Sequence, residues 1–420
     1  MSGAKRCTAT IDTFRDGMTP PGLSLRRFSF LNVTMAIREL QTLVLGGGIG
    51  GLTAALCLAR AGADVTVLEQ APELREVGAG LQISPNGYRV LDALGLGDAL
   101  KDNAVRAEAV QLIDYSGKPV VKLPLSEHSR AGYHLVHRAD MLEILRSAVE
   151  AEGIALRLGC EVAEVRSGSP AQLTLSGGET LSAPLIVAAD GLHSVARPVL
   201  NPETEGFFTG QVAWRALVPD SEARPDVRVF MGPRRHLVTY PLRDGQLRNI
   251  VAVQERAAWA KESWSQMDEP MNLRQVFSDF APEVLGLLSR VEQVHLWGLF
   301  RHPVAERWNE GGVVLLGDAA HPTLPFLAQG ANMALEDAWV LMRELKQAED
   351  LQTGLAAYQA HRKTRTRRIV DAASRNAVKY HLSSPAVRWA AHTTLRIAGR
   401  VAPKRIIAQY DWLYGYDVTA

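Results

Sequence analysis

One stretch constrains this chain more than any other: an apolar run that breaks into glycines and re-emerges as a helix. Thr42 to Leu45 reads as a short buried strand. Gly46-Gly47-Gly48-Ile49-Gly50-Gly51 follows, and then a helical pattern, Leu52-Thr53-Ala54-Ala55-Leu56-Cys57-Leu58-Ala59. Gly46, Gly48 and Gly51 have the spacing G-x-G-x-x-G. The first glycine permits a tight turn, the second lets a pyrophosphate approach the backbone, and the third lets helix and strand pack closely. The free N–H groups and positive dipole end of the helix suit phosphate. A second apolar run, Val65-Thr66-Val67-Leu68, ends at Glu69, 18 positions beyond Gly51. An acid there is placed to accept from a ribose hydroxyl. Strand, glycines, helix, strand and acid together predict a dinucleotide site built on Gly46, Gly48, Ile49, Gly50, Gly51 and Glu69.

At 420 residues the chain is long enough for two or three domains, and its 47% hydrophobic and 22% charged content is that of a globular protein. A net charge of +1 gives no electrostatic case for nucleic acid as the main partner. Cys7, Cys57 and Cys160 are too scattered for a metal site or a disulfide framework, which suits a reducing, cytoplasmic compartment. No apolar stretch is long enough to span a bilayer. The first 38 residues hold Pro20-Pro21, scattered Ser and Thr, and mostly basic charge. They read as a disordered N-terminal extension or as sequence upstream of initiation at Met35, with a transit peptide as the alternative.

Further along, Glu73 to Gly87 is loop-like, and a short helix is expected from Tyr88 to Leu94. Glu108 to Asp114 and Pro119 to Leu123 read as a hairpin, and a helix runs to Ala151 with Asp140 as its N-cap. Leu185 to Ala189 is a fully apolar strand ending at Asp190-Gly191. From about Thr209 the texture becomes antiparallel, with strands at Gln211–Val218, Val227–Met231, His236–Pro241 and Asn249–Gln254. Gly312 to Leu316 returns to buried parallel texture and ends at Gly317-Asp318. A long helix is expected over Gln329–Lys346, and helices fill the remainder. The basic run His361 to Arg368 reads as a solvated helix face.

Three motifs appear in order: the glycine loop with Glu69, Asp190-Gly191-Leu192-His193-Ser194-Val195-Ala196-Arg197, and Gly317-Asp318-Ala319-Ala320-His321-Pro322. Together, over about Leu40 to Leu345, they resemble the single-component FAD-dependent aromatic hydroxylases of the p-hydroxybenzoate hydroxylase fold. The likeness is nearest to the salicylate hydroxylase and 3-hydroxybenzoate 6-hydroxylase branch. The second motif fits the family's D-G-x-x-S-x-x-R in full. The resemblance implies an α/β architecture: a Rossmann-type FAD-binding domain (39–208 and 294–350), an inserted antiparallel β-sheet substrate domain (209–293) and a C-terminal helical segment (351–420). It implies that Asp318 contacts the ribityl chain of FAD, that Asp190 and Arg197 serve FAD and the passing NADH or NADPH, and that Arg138 reaches the flavin side. Gln329, Gly330, Ala331 and Asn332 would form a helix start whose N–H groups face the flavin.

The activity implied is that of a monooxygenase that uses NAD(P)H and O2 to hydroxylate a small aromatic substrate, a phenolic acid or an N-heteroaromatic, through a flavin hydroperoxide. Such chemistry is helped by a base near the substrate hydroxyl. His236 and Tyr240, four apart on one strand, face the same side and resemble the histidine–tyrosine pair of the 3-hydroxybenzoate 6-hydroxylases, although ordinary sheet packing accounts for both equally. Pro325 stands in the loop over the active site where that branch has a glutamine, which leaves substrate and regiochemistry open. Arg215, Arg234 and Arg235 are candidates for a substrate carboxylate, with surface roles favoured for each. Trp214, Phe230 and Phe326 are candidates for an aromatic pocket, with ordinary core equally apt. An epoxidase or tailoring monooxygenase on the same fold is the rival reading, as is a flavoprotein reductase or oxidase without oxygen insertion. A homodimer is compatible with the sequence; no metal is expected.

Overall fold

The computed structural model describes residues 37–74, 80–125, 131–202, 205–221, 224–256 and 266–420. Most of the expected N-terminal extension lies outside these residues. Its last part does not behave as a tail, because Ile37 is only 2% exposed and belongs to the main core.

Parallel strands build the first layer. Gln41–Leu45 pairs with Asp64–Leu68 on one side and Leu185–Ala188 on the other, and the six-stranded sheet continues to Ala155–Arg157 and to Val313–Leu315. The edge strand Asn309–Glu310 is antiparallel. Leu185–Ala188 and Val313–Leu315 are buried at every position, as a sheet covered on both faces requires. The register places Leu45 opposite Leu68 and Ala188, and Ala188 opposite Leu315. The carboxyl ends of four strands therefore finish level, and the residues that follow them, Gly46, Glu69, Asp190 and Asp318, emerge at one edge. Ligands sit at that edge in open α/β sheets.

An eight-stranded sheet forms the second layer. Its order is Met267–Asp268, Val294–Arg301, Phe207–Pro219, Leu247–Glu255, Arg235–Leu242, Asp226–Gly232, Ala109–Asp114 and Pro119–Pro124. Two of these elements were grouped in the sequence with the cofactor half. The hairpin Ala109–Pro124 joins here because Asp226–Gly232 would otherwise expose an open edge, and Ala109–Asp114 covers it in parallel. Val294–Arg301 pairs with Phe207–Pro219, so sheet membership runs past the boundary drawn at 294.

The two faces of this sheet have different jobs. Trp214, Phe230 and Leu237 pack on one face against Leu273, Phe277, Val284 and Leu288 from the helices Pro270–Val276 and Pro282–Ser289. Ala213, Val253, Trp297 and Leu299 pack on the other face with Leu324 and Phe326. Strand alternation thus separates Trp214 and Phe230 from Phe326, and the three do not share an aromatic pocket.

Three local expectations also shift. The helix expected from Tyr88 starts at Pro85, with Ser84 as its N-cap and proline in the first turn. The helix Arg138–Ala151 is capped by His137, whose Nδ1 accepts from Ala139 N, while Asp140 instead accepts from Arg243. The basic run lies on the helix Leu351–Tyr380 and is not simply solvated. Arg362 is fully buried and pairs with Glu336 at 2.6 Å and Asp337 at 2.6 Å. Arg365 binds Glu336 at 2.7 Å and donates to the carbonyls of Trp412 and Leu413. The chain's last segment is pinned on its own cofactor layer in this way, and Arg89 adds donations to the carbonyls of Tyr414 and Tyr416.

Candidate active site

The glycine loop is shaped by close approach. Gly46 has φ +99°, a left-handed conformation that favours glycine, and its N–H donates to Leu68 O at 2.8 Å. A Cβ on Gly51 would overlap the carbonyl oxygen of Gly46, so helix Ile49–Arg60 can enter this close to the strand only with glycine there. Gly48 is different: a Cβ there would meet nothing within 4 Å. Its backbone faces open space at the helix start, where the first intrahelical bond is Leu52 N to Gly48 O. The N–H groups of Ile49, Gly50 and Gly51 have no partner within the helix and are available to an anion. Glu69 accepts from Gly47 N at 2.6 Å and from Ala71 N at 2.8 Å, so its carboxylate braces the loop on which a ribose would rest.

The neighbouring strand ends supply two more carboxylates. Asp190 accepts from Val195 N at 2.9 Å through one oxygen, while its other oxygen is buried without a partner. Burial pushes its carboxyl above the ordinary aspartate value, against Ser194 and backbone N–H groups. Arg197 does not pair with Asp190. It donates to the carbonyls of Ala319 and Pro303 and braces the Gly317–Pro322 turn, a strut role that the sequence did not suggest. Asp318 keeps accessible surface, yet its carboxyl is pushed up by the protein around it, with His321 and Arg138 acting in the opposite direction. That is the environment of a carboxylate lining a cleft, and it puts Arg138 in electrostatic reach of Asp318.

The helix Gly330–Gln347 starts in the same place: a Cβ on Gly330 would stand 4.0 Å from Asp318 Oδ1. Its first intrahelical bond is Met333 N to Gln329 O, so the N–H groups of Gly330, Ala331 and Asn332 lack intrahelical partners. The side chains of Gln329 and Asn332 are turned inward. Gln329 binds Ser84 and Asn86, and Asn332 donates to Gln82 O and Ala328 O. They lock the loop at 82–86 to this helix, leaving the backbone to meet a ligand. A partnerless buried oxygen on Asp190, an accessible Asp318, an open Gly48 and two helix starts at one sheet edge fit an adenine–flavin dinucleotide.

The large sheet carries the second half of the site. Cross-strand register aligns Trp297, Ala213, Val253 and His236 in one row, and Leu217, Asn249 and Tyr240 in another. Arg215, Val251 and Val238 lie between these rows, on the same face. Phe326, in the turn Pro325–Leu327, covers this face, its ring centroid 5.7 Å from that of His236. Pro325 thus fixes the turn that carries Phe326. His236 is buried; its Nδ1 lies 2.6 Å from His381 Nε2, and burial pushes its pKa well below the ordinary histidine value. Burial also pushes the Tyr240 phenol up to about 12, with Arg215 and Gln82 acting against it, so this hydroxyl stays protonated as a donor.

Arg215 is not a surface residue. Its guanidinium lies over the Trp297 ring, 4.4 Å from the centroid, and its influence reaches Tyr240. Asn249 accepts from Gly80 N at 2.9 Å, which fixes its amide, and its Nδ2 is buried without a partner. Asn249, Gln82 and His381 were not singled out in the sequence. Only cross-strand register or the chain's return at residue 381 reveals them. Arg234 and Arg235 point away, to Glu255 and Asp279.

Comparison with known proteins agrees with this geometry. A family model described as FAD binding domain matches residues 39–373. The chain is 37% identical over 359 residues to 3-amino-4-hydroxybenzoate 2-monooxygenase from Streptomyces cremeus, covering 83% of this chain and 89% of that protein. It is 33% identical to 3-hydroxybenzoate 6-hydroxylase 1 from Aquipseudomonas alcaligenes, covering 89% of this chain and 97% of that protein. Among solved structures, Klebsiella pneumoniae HpxO complexed with FAD and uric acid superposes with a TM-score of 0.78 at 27% identity, covering 88% of this chain and 95% of that one. With the dinucleotide edge and the donor-lined sheet face facing one turn, the chain belongs to the FAD-binding-domain family and is an FAD-dependent aromatic monooxygenase, with NAD(P)H as reductant.

Proposed function

We propose that the substrate is a hydroxybenzoate-like aromatic acid, bound flat between the large sheet and the Pro325–Leu327 turn. The observation that carries this reading is the clustering of three donors, Arg215, Tyr240 and the partnerless amide of Asn249, on one patch of an otherwise apolar face. A carboxylate is the group that three converging donors recognise, and desolvation by Trp297 strengthens the attraction. His236 stands four residues from Tyr240, about 13 Å along the strand. That leaves room for one ring, with its carboxylate at the Arg215 end and its hydroxyl toward His236. The relatives' printed substrates, hydroxy- and aminohydroxybenzoates, carry both groups.

In this reading FAD, when bound, supplies the oxygen-transfer chemistry, with dioxygen as the source of the inserted atom. Glu69, Asp190, Asp318, Arg138 and the two helix starts hold and polarise the cofactor. Phe326 and Trp297 exclude water from the ring. His236 takes the substrate's phenolic proton, which makes the ring carbon beside it nucleophilic. Tyr240 stays protonated and donates.

The test is oxygen-dependent NAD(P)H oxidation by the FAD-loaded protein across hydroxybenzoates, aminohydroxybenzoates and their methyl esters, with product masses. The expected result is acceleration by at least one free acid that gains one oxygen atom, and little response to its ester. Esters that match their acids would remove the carboxylate patch from the reading. In the same assay His236→Ala is expected to slow hydroxylation and divert reducing equivalents to peroxide; unchanged coupling would take His236 out of the chemistry.

A further inference from the structure

A proton taken up inside a closed site must leave it, and the structure contains a path that the cofactor and substrate contacts do not use. His236 Nδ1 lies 2.6 Å from His381 Nε2, and His381 Nδ1 lies 3.0 Å from Glu255 Oε1. The His381 side chain is 1% exposed and that of Glu255 is 32% exposed, so the three groups run from the interior to solvent. They come from three places: strand Arg235–Leu242, the residue after helix Leu351–Tyr380, and strand Leu247–Glu255. Backbone bonds hold them in line, with Arg234 N donating to His381 O at 3.2 Å and Glu255 N donating to Arg234 O at 2.9 Å. Among the described residues, the other charged or titratable groups facing the chain are Arg234, 3.1 Å from Glu255 Oε2, and Tyr380, whose ring is 5.2 Å from that of His236.

Hydrogen-bond logic sets the tautomers. A carboxylate only accepts, so His381 must donate from Nδ1. Burial disfavours the charged form of both rings, so each carries one ring proton. His381 Nε2 is then an acceptor, and His236 must donate to it from Nδ1. This leaves the lone pair of His236 on Nε2, which has no hydrogen-bond partner among the described residues. Glu255 thus fixes, through two imidazoles, which nitrogen of His236 can take a proton.

We propose that His381 and Glu255 are positioning residues that hold His236 as a base and carry its proton to solvent. The proposal rests on the reading of His236 as the group facing the phenol. In the transfer, the substrate O–H bond breaks as the His236 Nε2–H bond forms. The His236 Nδ1 proton passes to His381 Nε2, and the His381 Nδ1 proton passes to Glu255, which releases it to water. When product leaves as a neutral phenol the transfers run backwards, and both rings recover their first tautomer.

The test needs no turnover. In FAD-loaded protein labelled with ¹⁵N-histidine, long-range ¹H–¹⁵N correlation reads the tautomer of each ring. The expected result is Nδ1–H at His236 in the parent protein and its loss in both His381→Phe and Glu255→Leu, which removes the acceptor that a glutamine would keep. Nε2–H at His236 in the parent protein, or Nδ1–H retained in both variants, would overturn the proposal. A second measurement follows proton release to an indicator dye on mixing oxidised protein with 3-hydroxy-4-nitrobenzoate, whose phenolate absorbs visible light, in buffer below the probe's own phenol pKa so that it enters with its O–H intact. Release is expected to slow roughly tenfold or more in His381→Phe, Glu255→Gln and His236→Gln. If only His236→Gln is slow, the path is wrong and His236 remains the base. If His236→Gln releases at the parent rate, the base assignment itself fails and the path falls with it.

Discussion

Arg215 lies over the indole of Trp297, with its guanidinium carbon 4.4 Å from the ring centroid. The two residues sit on neighbouring strands, Phe207–Pro219 and Val294–Arg301, and face the Pro325–Leu327 turn. Stacking on an aromatic face holds a planar cation in place and fixes the plane in which its N–H groups point. An arginine fixed in this way is prepared to receive a carboxylate.

Arg215→Gln is therefore expected to raise KM for a hydroxybenzoate substrate roughly 10- to 100-fold, the equivalent of a lost charge-assisted hydrogen bond of about 1.5–3 kcal/mol. The smaller effect should be on kcat. Steady-state kinetics on the acid and its methyl ester check this; equal losses on both would mean that the arginine only supports the fold.

Gly51 and Gly48 should fail differently. Gly51→Ala puts a Cβ against the backbone oxygen of Gly46, where nothing flexible can yield, and should destabilise even the flavin-free protein, by roughly 1–3 kcal/mol. Gly48→Ala meets nothing within 4 Å and should leave the flavin-free Tm nearly unchanged while flavin content falls. Differential scanning fluorimetry and the 280/450 nm absorbance ratio separate the two outcomes.

Asp318→Ala removes the accessible carboxylate beside the Gly330 helix start. Flavin binding should weaken by roughly one to two orders of magnitude, as expected for a hydrogen bond to a charged group. Purification with full flavin content would remove Asp318 from the cofactor site.

Beneath that site, His321 Nε2 lies 2.5 Å from Asp337 Oδ2, and Arg362 lies 2.6 Å from the other oxygen. Burial pushes the Asp337 carboxyl up, but His321 and Arg362 outweigh it and bring the value down to about 2. Because the folded value is below the ordinary one of about 4, Asp337 contributes stability above about pH 4 that is lost as pH falls toward 2. Urea unfolding over pH 2 to 7 should show this acid-side loss in the parent protein and a smaller one in Asp337→Asn. Arg362→Leu should cost roughly 3–5 kcal/mol at neutral pH, since it removes the buried cation between two carboxylates and leaves Glu336 to Arg365 and Asp337 to His321.

The cofactor edge was legible in the sequence because its determinants are local. Glycine spacing, apolar runs and the acids that end them are read along the chain, and parallel register then brings Gly46, Glu69, Asp190 and Asp318 level. The face proposed for the substrate is less legible because its determinants are cross-strand. His236 and Tyr240 are singled out by their spacing on one strand. For Arg215 the sequence favours a surface role over a carboxylate partner, since nothing local indicates that Trp297 will lie beneath it, and for its neighbour Trp214 it leaves pocket and core equally open until strand alternation puts the ring in the core. His381 carries no signal at all. Its importance comes only from where a 30-residue helix delivers it. The basic run at His361–Arg368 misled for the opposite reason: its composition is that of a solvated face, but Glu336 and Asp337 await two of its arginines inside.

The placement of His381 and of the carbonyls that Arg89 and Arg365 hold has a consequence for biosynthesis. The glycine loop leaves the ribosome early, yet the helix that floors the flavin edge is braced by Arg362 and Arg365, and the neighbour of His236 is made later still. A nascent chain halted before Arg362 would have the glycine loop that fits a dinucleotide but neither the brace nor the histidine pair. Maturation of this enzyme is thus tied to completion of its C-terminal segment, and fusions or truncations there should act on the active site as directly as changes within it.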